Sequence, residues 1–338
     1  MLGKRENVML RFSLLGAGRI GRMHARNLAA DPRVELVSVY DVDRSATRGA
    51  AEETNASEAP SVEAAIAGVD AVLIASPTKT HVDLITQAVE AGLAVLCEKP
   101  IDLDIDRVEA CRERIAELGS RVQVGFNRRF DLSHGGLQRA VRNGEIGRCE
   151  QLVITSRDPA PPPLAYIKVS GGLFRDMMIH DFDLARFILD EDPIEVRAVA
   201  SSLVDPEIGA AGDVDNAMVV MKTPSGALCH INCSRRSVYG YDQRVEAFGS
   251  EGMVISGNHA TTNLERWDKQ ATASREPLLP FFIERYAESY RAQISAFVDA
   301  VEQDSAPSPS FEDGRRAMIL ADAAAESLRS GRAVRPVY

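Results

Sequence analysis

Positive charge is in deficit in this chain: 39 Lys and Arg stand against 49 Asp and Glu, for a formal net charge of −10 over 338 residues. A surface of that sign repels nucleic acid and anionic membranes, so neither is expected as a partner. Cysteine is scarce and shows no pairing pattern. Cys97, Cys111, Cys149, Cys229 and Cys233 are odd in number and form no CxxC. They read as reduced thiols of a cytoplasmic protein, which argues against a disulfide or zinc framework. No apolar run approaches the roughly 18 residues that span a bilayer. Residues 1–7 lack the apolar region of a secretory signal. Internal repeats and long low-complexity tracts are missing too. The six histidines (His24, His81, His134, His180, His230 and His259) include no HxH or HExxH, so no metal site is expected. What is left, 45% hydrophobic and 26% charged residues, is ordinary globular composition. At about 150 residues per domain the length suggests two domains.

The first half alternates two kinds of segment. Residues 8–15, 35–40, 70–75, 94–97 and 121–126 are strand-like, whereas 20–29, 62–67, 82–91 and 105–118 are helical in pattern. Such alternation predicts an α/β domain over residues 1–126, a doubly wound parallel sheet with helices on both faces. From about residue 149 strand-like runs follow one another, at 150–157, 195–204, 216–223, 227–234, 244–248 and 252–256. Short Gly-bearing links at 223–226 and 249–252 suit antiparallel hairpins. Residues 127–338 are therefore expected to form a second α/β domain with an open, mainly antiparallel sheet. Helices are expected at 176–189, at 281–302 and at 311–330, the last stopped by Gly331. The second of these carries an apolar stripe of Phe282, Tyr286, Tyr290, Ile294, Phe297 and Val301. The proline-rich segment 158–163 reads as a stiff loop, and 306–310 as a linker.

Residues 16–21 read Gly-Ala-Gly-Arg-Ile-Gly, a G-x-G-x-x-G that follows an apolar strand and opens a helix. Gly16 permits the tight turn, Gly18 lets backbone approach a pyrophosphate, and Gly21 lets helix and strand pack closely. Arg19 and Ile20 lie at the helix start, whose N–H groups and dipole favour an anion. Twenty positions after Gly21, at the end of the second strand, stands Asp41. A carboxylate there accepts ribose hydroxyls and repels a 2′-phosphate, so NAD is expected over NADP. Arg44 is the nearby residue that could oppose that preference. Ligands of such sheets lie beyond the carboxyl ends of the strands. That places the loop holding Ser76, Thr78 and His81 beside the nicotinamide half, although an ordinary strand-to-helix loop stays open for each of them.

Two further segments carry chemistry. Cys97-Glu98-Lys99-Pro100 ends another strand, where Glu98 borders the cofactor and Lys99 could donate to a substrate oxygen. The second is residues 175–183, Arg-Asp-Met-Met-Ile-His-Asp-Phe-Asp. At 100° per residue, Asp176, His180 and Asp183 are expected to fall within about 60° on one helical face. A carboxylate one turn from an imidazole can fix its tautomer and raise its basicity. From residue logic alone, a solvated lysine and a solvated acidic helix face stay open.

The glycine motif, CEKP and DMMIHDFD, in that order, resemble the glucose–fructose oxidoreductase/inositol dehydrogenase (Gfo/Idh/MocA) family over essentially the whole chain. Within it, residues 124–131 and 239–242 are most similar to the inositol 2-dehydrogenases. The resemblance implies a Rossmann domain followed by an α/β domain whose open sheet mediates homo-oligomers, tetramers or dimers. It also implies Lys99 as hydrogen-bond donor and proton relay, His180 as general base, and Asp176 as its partner and a substrate ligand. Asn127, Arg128, Asp158, Asp183 and Tyr241 map onto substrate hydroxyl contacts. The implied reaction is NAD-dependent oxidation of a cyclic polyol, foremost myo-inositol to 2-keto-myo-inositol (scyllo-inosose). Oxidation of scyllo-inositol or an aldopyranose, a glycosidase-like relative that never releases NADH, and a non-catalytic NAD-binding regulator stay open as alternatives.

Overall fold

The structure is a computed structural model that describes residues 9–338, so the expectations for residues 1–8 lie outside it. Six short strands form the first sheet: β1 (Leu10–Leu15), β2 (Val34–Tyr40), β3 (Ser57–Glu58), β4 (Ala71–Ile74), β5 (Ala94–Cys97) and β6 (Val122–Val124). Their order is β3-β2-β1-β4-β5-β6, and every pairing is parallel. This is the doubly wound arrangement expected, with its reversal of direction between β1 and β4. The sequences of β4 and β5, AVLI and AVLC, are buried throughout. Continuous apolar strands of that kind belong to a sheet covered on both faces. The two-residue β3 escaped the sequence reading because Ser57 and Glu58 are exposed and carry no apolar pattern.

The second sheet also has six strands: β7 (Cys149–Arg157), β8 (Glu195–Ser201), β9 (Asn216–Lys222), β10 (Leu228–Ser234), β11 (Asp242–Gly249) and β12 (Gly252–Ser256). Their order is β12-β11-β7-β10-β9-β8. All pairs are antiparallel except β7 with β10, so the sheet is mixed and mainly antiparallel. Burial alternates along the strands. Val196, Ala198, Ala217, Val219, Met221, Cys229 and Ile231 face the core. On the opposite face the register sets Arg197, Val220, His230, Val153, Glu246 and Ile255 in one row across all six strands.

Two compact units result, the first running to Asn127 and including Tyr290–Arg315, the second formed by Arg128–Ser289 and Arg316–Tyr338. The chain therefore returns to the first unit instead of leaving it for good after residue 126. Apolar packing explains the return: Ile294, Phe297 and Val298 are members of the first unit's core. The Phe297 ring meets Phe12 edge-on at 6.0 Å. Arg33, just before β2, also reaches Ser295 at 2.9 Å and pairs with Asp299.

Two helices expected to be continuous are broken. Residues 176–189 divide into Gly172–Asp176 and Ile179–Leu189. The Leu173 carbonyl accepts the N–H groups of both Met177 (3.1 Å) and Met178 (2.9 Å), which closes the first helix before the second begins. The step of 100° per residue therefore does not run from Asp176 through to His180 and Asp183. Residues 281–302 divide into Phe282–Arg285 and Ala287–Glu302, with Tyr286 at φ −114° and ψ 19° between them.

Candidate active site

The glycine turn shows its purpose in what a side chain would strike. Gly16 has φ +103°, and a Cβ there would lie 2.3 Å from the Ser76 backbone nitrogen. The loops after β1 and β4 thus touch at the reversal point, and only glycine fits between them. A Cβ on Gly21 would lie 2.0 Å from the Gly16 carbonyl oxygen. Gly18 differs, because its Cβ would find nothing within 4 Å. It is the N-cap of helix Arg19–Ala30, and no side chain caps that helix or places an acid in its first turn. Open space over an uncapped helix start fits a pyrophosphate.

Asp41 is fixed by the same turn. Its Oδ2 accepts the Ala17 N–H at 2.7 Å, and its Oδ1 accepts the Asp43 N–H at 2.9 Å. Each carboxylate oxygen keeps acceptor capacity, which suits two ribose hydroxyls. Arg44 donates to the carbonyls of Ala59 (3.0 Å) and Pro60 (2.9 Å), so its guanidinium is already engaged. The residues present therefore fit NAD.

Around the carboxyl ends of β4 and β5 the expected residues divide by role. Ser76 Oγ lies 2.6 Å from Thr80 Oγ1, and Thr78 opens the turn Thr78–Thr80 between them. His81 is 1% exposed, with Nε2 2.8 Å from the Ser76 carbonyl and Nδ1 2.8 Å from the Pro100 carbonyl. Burial pushes its pKa down, against the pull of those carbonyls. Both ring nitrogens face protein oxygens, so His81 joins two loops instead of presenting a nitrogen to a ligand. The Glu98 carboxylate meets His24 Nε2 at 2.7 Å. Lys99 is partly exposed at the end of β5. Asn127 is 2% exposed, and its Nδ2 donor has no partner among the described residues, as a group reserved for a ligand would have none.

In the second unit the expected polar residues are held by partners that the sequence did not reveal. Asp176 Oδ1 accepts the Tyr166 hydroxyl at 2.9 Å, and its Oδ2 lies 3.4 Å from Arg235 Nη1. Arg235 is 1% exposed and reaches Asp213 at 3.4 Å through Nη2. Asp213 in turn accepts the Leu173 N–H at 2.9 Å, tying this network to the helix that ends in Asp176. His180 is partly exposed in the first turn of Ile179–Leu189. Asp183 makes a two-pronged pair with Arg129, at 2.6 and 2.8 Å, and its side chain is 2% exposed. Arg128 is buried against Asp181 at 2.6 Å and Ser156 at 3.3 Å. Burial pushes the Asp181 pKa up to about 6, with Arg128 and Ser156 opposing. Asp158 is anchored by its N–H to the Ser234 carbonyl at 2.9 Å. Tyr241 is buried, its ring edge-on to Phe281 at 5.9 Å and to Tyr286 at 6.1 Å.

Arg129 and Asp181 could have been suspected, since each adjoins a residue that the reading singled out. Tyr166 and Arg235 had no such signal. Arg235 follows the end of β10, where Ser234 pairs with Arg157 on one side and Asn216 on the other, and nothing in the sequence marks either neighbour.

A doubly wound sheet with this glycine turn and this aspartate defines a dinucleotide-binding domain of the kind that takes NAD. Residues 10–126 match the family model "Oxidoreductase family, NAD-binding Rossmann fold", and residues 136–255 match the GFO/IDH/MocA C-terminal domain. The chain belongs to the GFO/IDH/MocA family. It is 45% identical to the inositol 2-dehydrogenase of Rhizobium meliloti, covering 96% of this chain and 98% of that one. The myo-inositol 2-dehydrogenase of Thermotoga maritima is 44% identical, with the same two shares. Among solved structures, a myo-inositol dehydrogenase from Corynebacterium glutamicum superposes with a TM-score of 0.94 at 46% identity, covering 97% of this chain and 99% of that one.

Proposed function

We propose that the protein is an NAD-dependent inositol 2-dehydrogenase that oxidises myo-inositol to 2-keto-myo-inositol. The similarity to inositol dehydrogenases over 96% of the chain carries this reading. The polar side chains at Asn127, Arg128, Asp158, Asp176, Asp183 and Tyr241 support it, since a ring polyol bears a hydroxyl on nearly every carbon. The Arg129 pair of Asp183 and the Asp181 pair of Arg128 make these two residues supports for that set.

In this reading His180 accepts the proton of the reacting hydroxyl. Lys99 donates a hydrogen bond to the same oxygen as negative charge develops there, an effect worth several kcal/mol in a dry site. Asp176, fixed by Tyr166 and Arg235, binds a substrate hydroxyl, and its role as partner of the imidazole rests on the family resemblance and not on a shared helix face. Bound NAD supplies the acceptor for the carbinol hydride. Asp41 and the turn at residues 16–21 hold its adenosine and pyrophosphate parts.

The test is NADH formation with myo-inositol, scyllo-inositol and glucose. The expected outcome is the highest kcat/KM with myo-inositol and NADH accumulating in step with product. Activity highest with scyllo-inositol would move the assignment to that isomer. No NADH from any inositol would overturn it. His180→Ala and Lys99→Ala are each expected to lower kcat by roughly 10² or more.

Two coarser properties belong to the same proposal. Five free thiols, four of them buried, fit a cytoplasmic enzyme. The outer face of the second sheet, with Val220 48% and Ile255 57% exposed, fits a homo-oligomer, a tetramer or a dimer.

A further inference from the structure

The first unit buries an imidazole–carboxylate contact that no step above uses. His24 lies in helix Arg19–Ala30, the helix opened by the glycine turn, and is 1% exposed. Its Nε2 is 2.7 Å from Glu98 Oε1, and its ring stands edge-on to Tyr290 at 5.5 Å. Its Nδ1 is buried with no hydrogen-bond partner among the described residues. A hydrogen on Nδ1 would be stranded without an acceptor. The network therefore assigns it to Nε2, and His24 donates to Glu98.

Glu98 is held on every side. Its N–H donates to the Ile74 carbonyl at 2.9 Å, and the Gly125 N–H closes on the Cys97 carbonyl at 2.7 Å. A Cβ on residue 125 would come within 2.9 Å of Glu98 Oε2 and 3.0 Å of its Cα, so the glutamate packs on a bare glycine face. Glu98 Oε2 accepts the N–H of Lys99 at 3.3 Å. One carboxylate thus joins the helix that begins at the glycine turn to the peptide that carries the lysine. An apolar pair would fill this space without desolvating polar groups. A contact specific to the Lys99 peptide gives the polar pair a reason to be there.

We propose that His24 and Glu98 are positioning residues for Lys99, fixing the main chain from which its flexible side chain reaches the substrate; this rests on the role of Lys99 given above. Displacements on the order of 1 Å at a reacting group can cost about a hundredfold in rate, so the root of a long side chain is worth fixing.

The experiment compares His24→Phe and His24→Gln in the wild-type and Lys99→Ala backgrounds, measuring kcat, KM for myo-inositol and the Kd of NADH by fluorescence. Phe keeps the ring against Tyr290 but removes the donor. Gln returns an N–H near the position of Nε2. His24→Phe is expected to lower kcat about tenfold or more while the NADH Kd moves by less than about threefold, and His24→Gln should recover most of that loss. In the Lys99→Ala background His24→Phe should cost nothing further, because residues that act as one unit are not additive. A full further loss in that background, or an NADH Kd that rises in step with the fall in kcat, would overturn the proposal. His24→Asn, too short to reach Glu98, should behave as Phe does and provides the reading should the Phe variant not fold. A Lys99→Ala enzyme with wild-type kcat would overturn the role of the lysine itself, an outcome distinct from additivity.

Discussion

Single residues divide into those whose role follows from spacing and those whose role needs a partner from far along the chain. Asp41 is of the first kind, since strand, glycine turn, helix and acid follow one another at the spacing that the dinucleotide fold requires. With Arg44 tied to the carbonyls of Ala59 and Pro60, its guanidinium does not offset the Asp41 carboxylate, in keeping with the proposed preference for a free 2′-hydroxyl. Asp41→Ser should narrow the ratio of kcat/KM for NAD over NADP by about an order of magnitude or more. A wild-type enzyme that uses NADP at least as well as NAD would refute this. His134 is of the second kind, buried between Ser256 at 2.8 Å and Tyr286 at 3.3 Å. Burial pushes its pKa down to about 3 from 6.5. Burial also opposes the nearby Asp131 carboxylate, but Arg285 at 2.5 Å overrides it and holds the carboxyl at about 2. Below pH 6.5 the unfolded histidine takes up a proton that the folded one refuses. The stability contributed by a neutral His134 is therefore complete above pH 6.5 and lost as the pH falls toward about 3. Asp181, whose pKa is raised to about 6, has the opposite sign, because its folded form keeps a proton that the unfolded form releases. The comparison is thus between wild type and His134→Asn. Unfolding free energies from urea titrations should show a slope for wild type steeper by up to about 1.4 kcal/mol per pH unit between about pH 6 and 4. Equal slopes would refute the assignment.

Elements were legible where one periodicity governed them. The buried runs AVLI and AVLC announced β4 and β5, and the alternation of Asn216–Lys222 announced β9. The breaks at residues 177–178 and 286 were not legible. In the first, the Leu173 carbonyl takes two N–H groups, and nothing in the polarity of residues 173–178 marks that choice. The common face assumed for Asp176, His180 and Asp183 went with it, and so did any view of Tyr166 and Arg235, whose contacts arise from packing between distant segments. The glycine turn was fully legible as a motif, and the structure separates its members. Gly21→Ala should lower Tm by several degrees, because its Cβ would meet the Gly16 carbonyl oxygen at 2.0 Å and overpacking costs about 1–3 kcal/mol. Gly18→Ala has open space, so its Tm should match wild type while the NADH Kd rises about tenfold or more. Calorimetry and fluorescence titration on the two variants check both halves. A Gly18→Ala protein that loses stability but binds NADH normally would reverse the assignment.

At the scale of the molecule, the sequence reading anticipated two sheets but not the return of Tyr290–Arg315 to the first unit, since the stripe from Tyr290 to Val301 says that the helix is buried without saying against what. The outer face of the second sheet poses the opposite case, apolar side chains without cover. Its register aligns Val199 with Met218, Val220 with His230 and Val153, and Phe248 with Met253. Val199, Met218 and Ile255 are each more than half exposed, at 67, 55 and 57%. Exposed apolar side chains in these numbers on an open sheet, interleaved with Arg197, His230 and Glu246, fit an interface between copies with a mixed apolar and polar character. Val220 stands in the row that crosses all six strands and points away from the core, so a charge there can be solvated in the isolated chain. In an assembled interface the same charge would be desolvated without a partner, at a cost that a weak contact cannot offset. Light scattering coupled to size exclusion should therefore find the wild type as a tetramer or dimer, with a Tm that rises with protein concentration. Val220→Asp should shift the mass downward with an unchanged far-UV circular dichroism spectrum. A wild type that is monomeric at micromolar concentration, or a Val220→Asp variant that keeps the wild-type mass, would show that this face is not the interface.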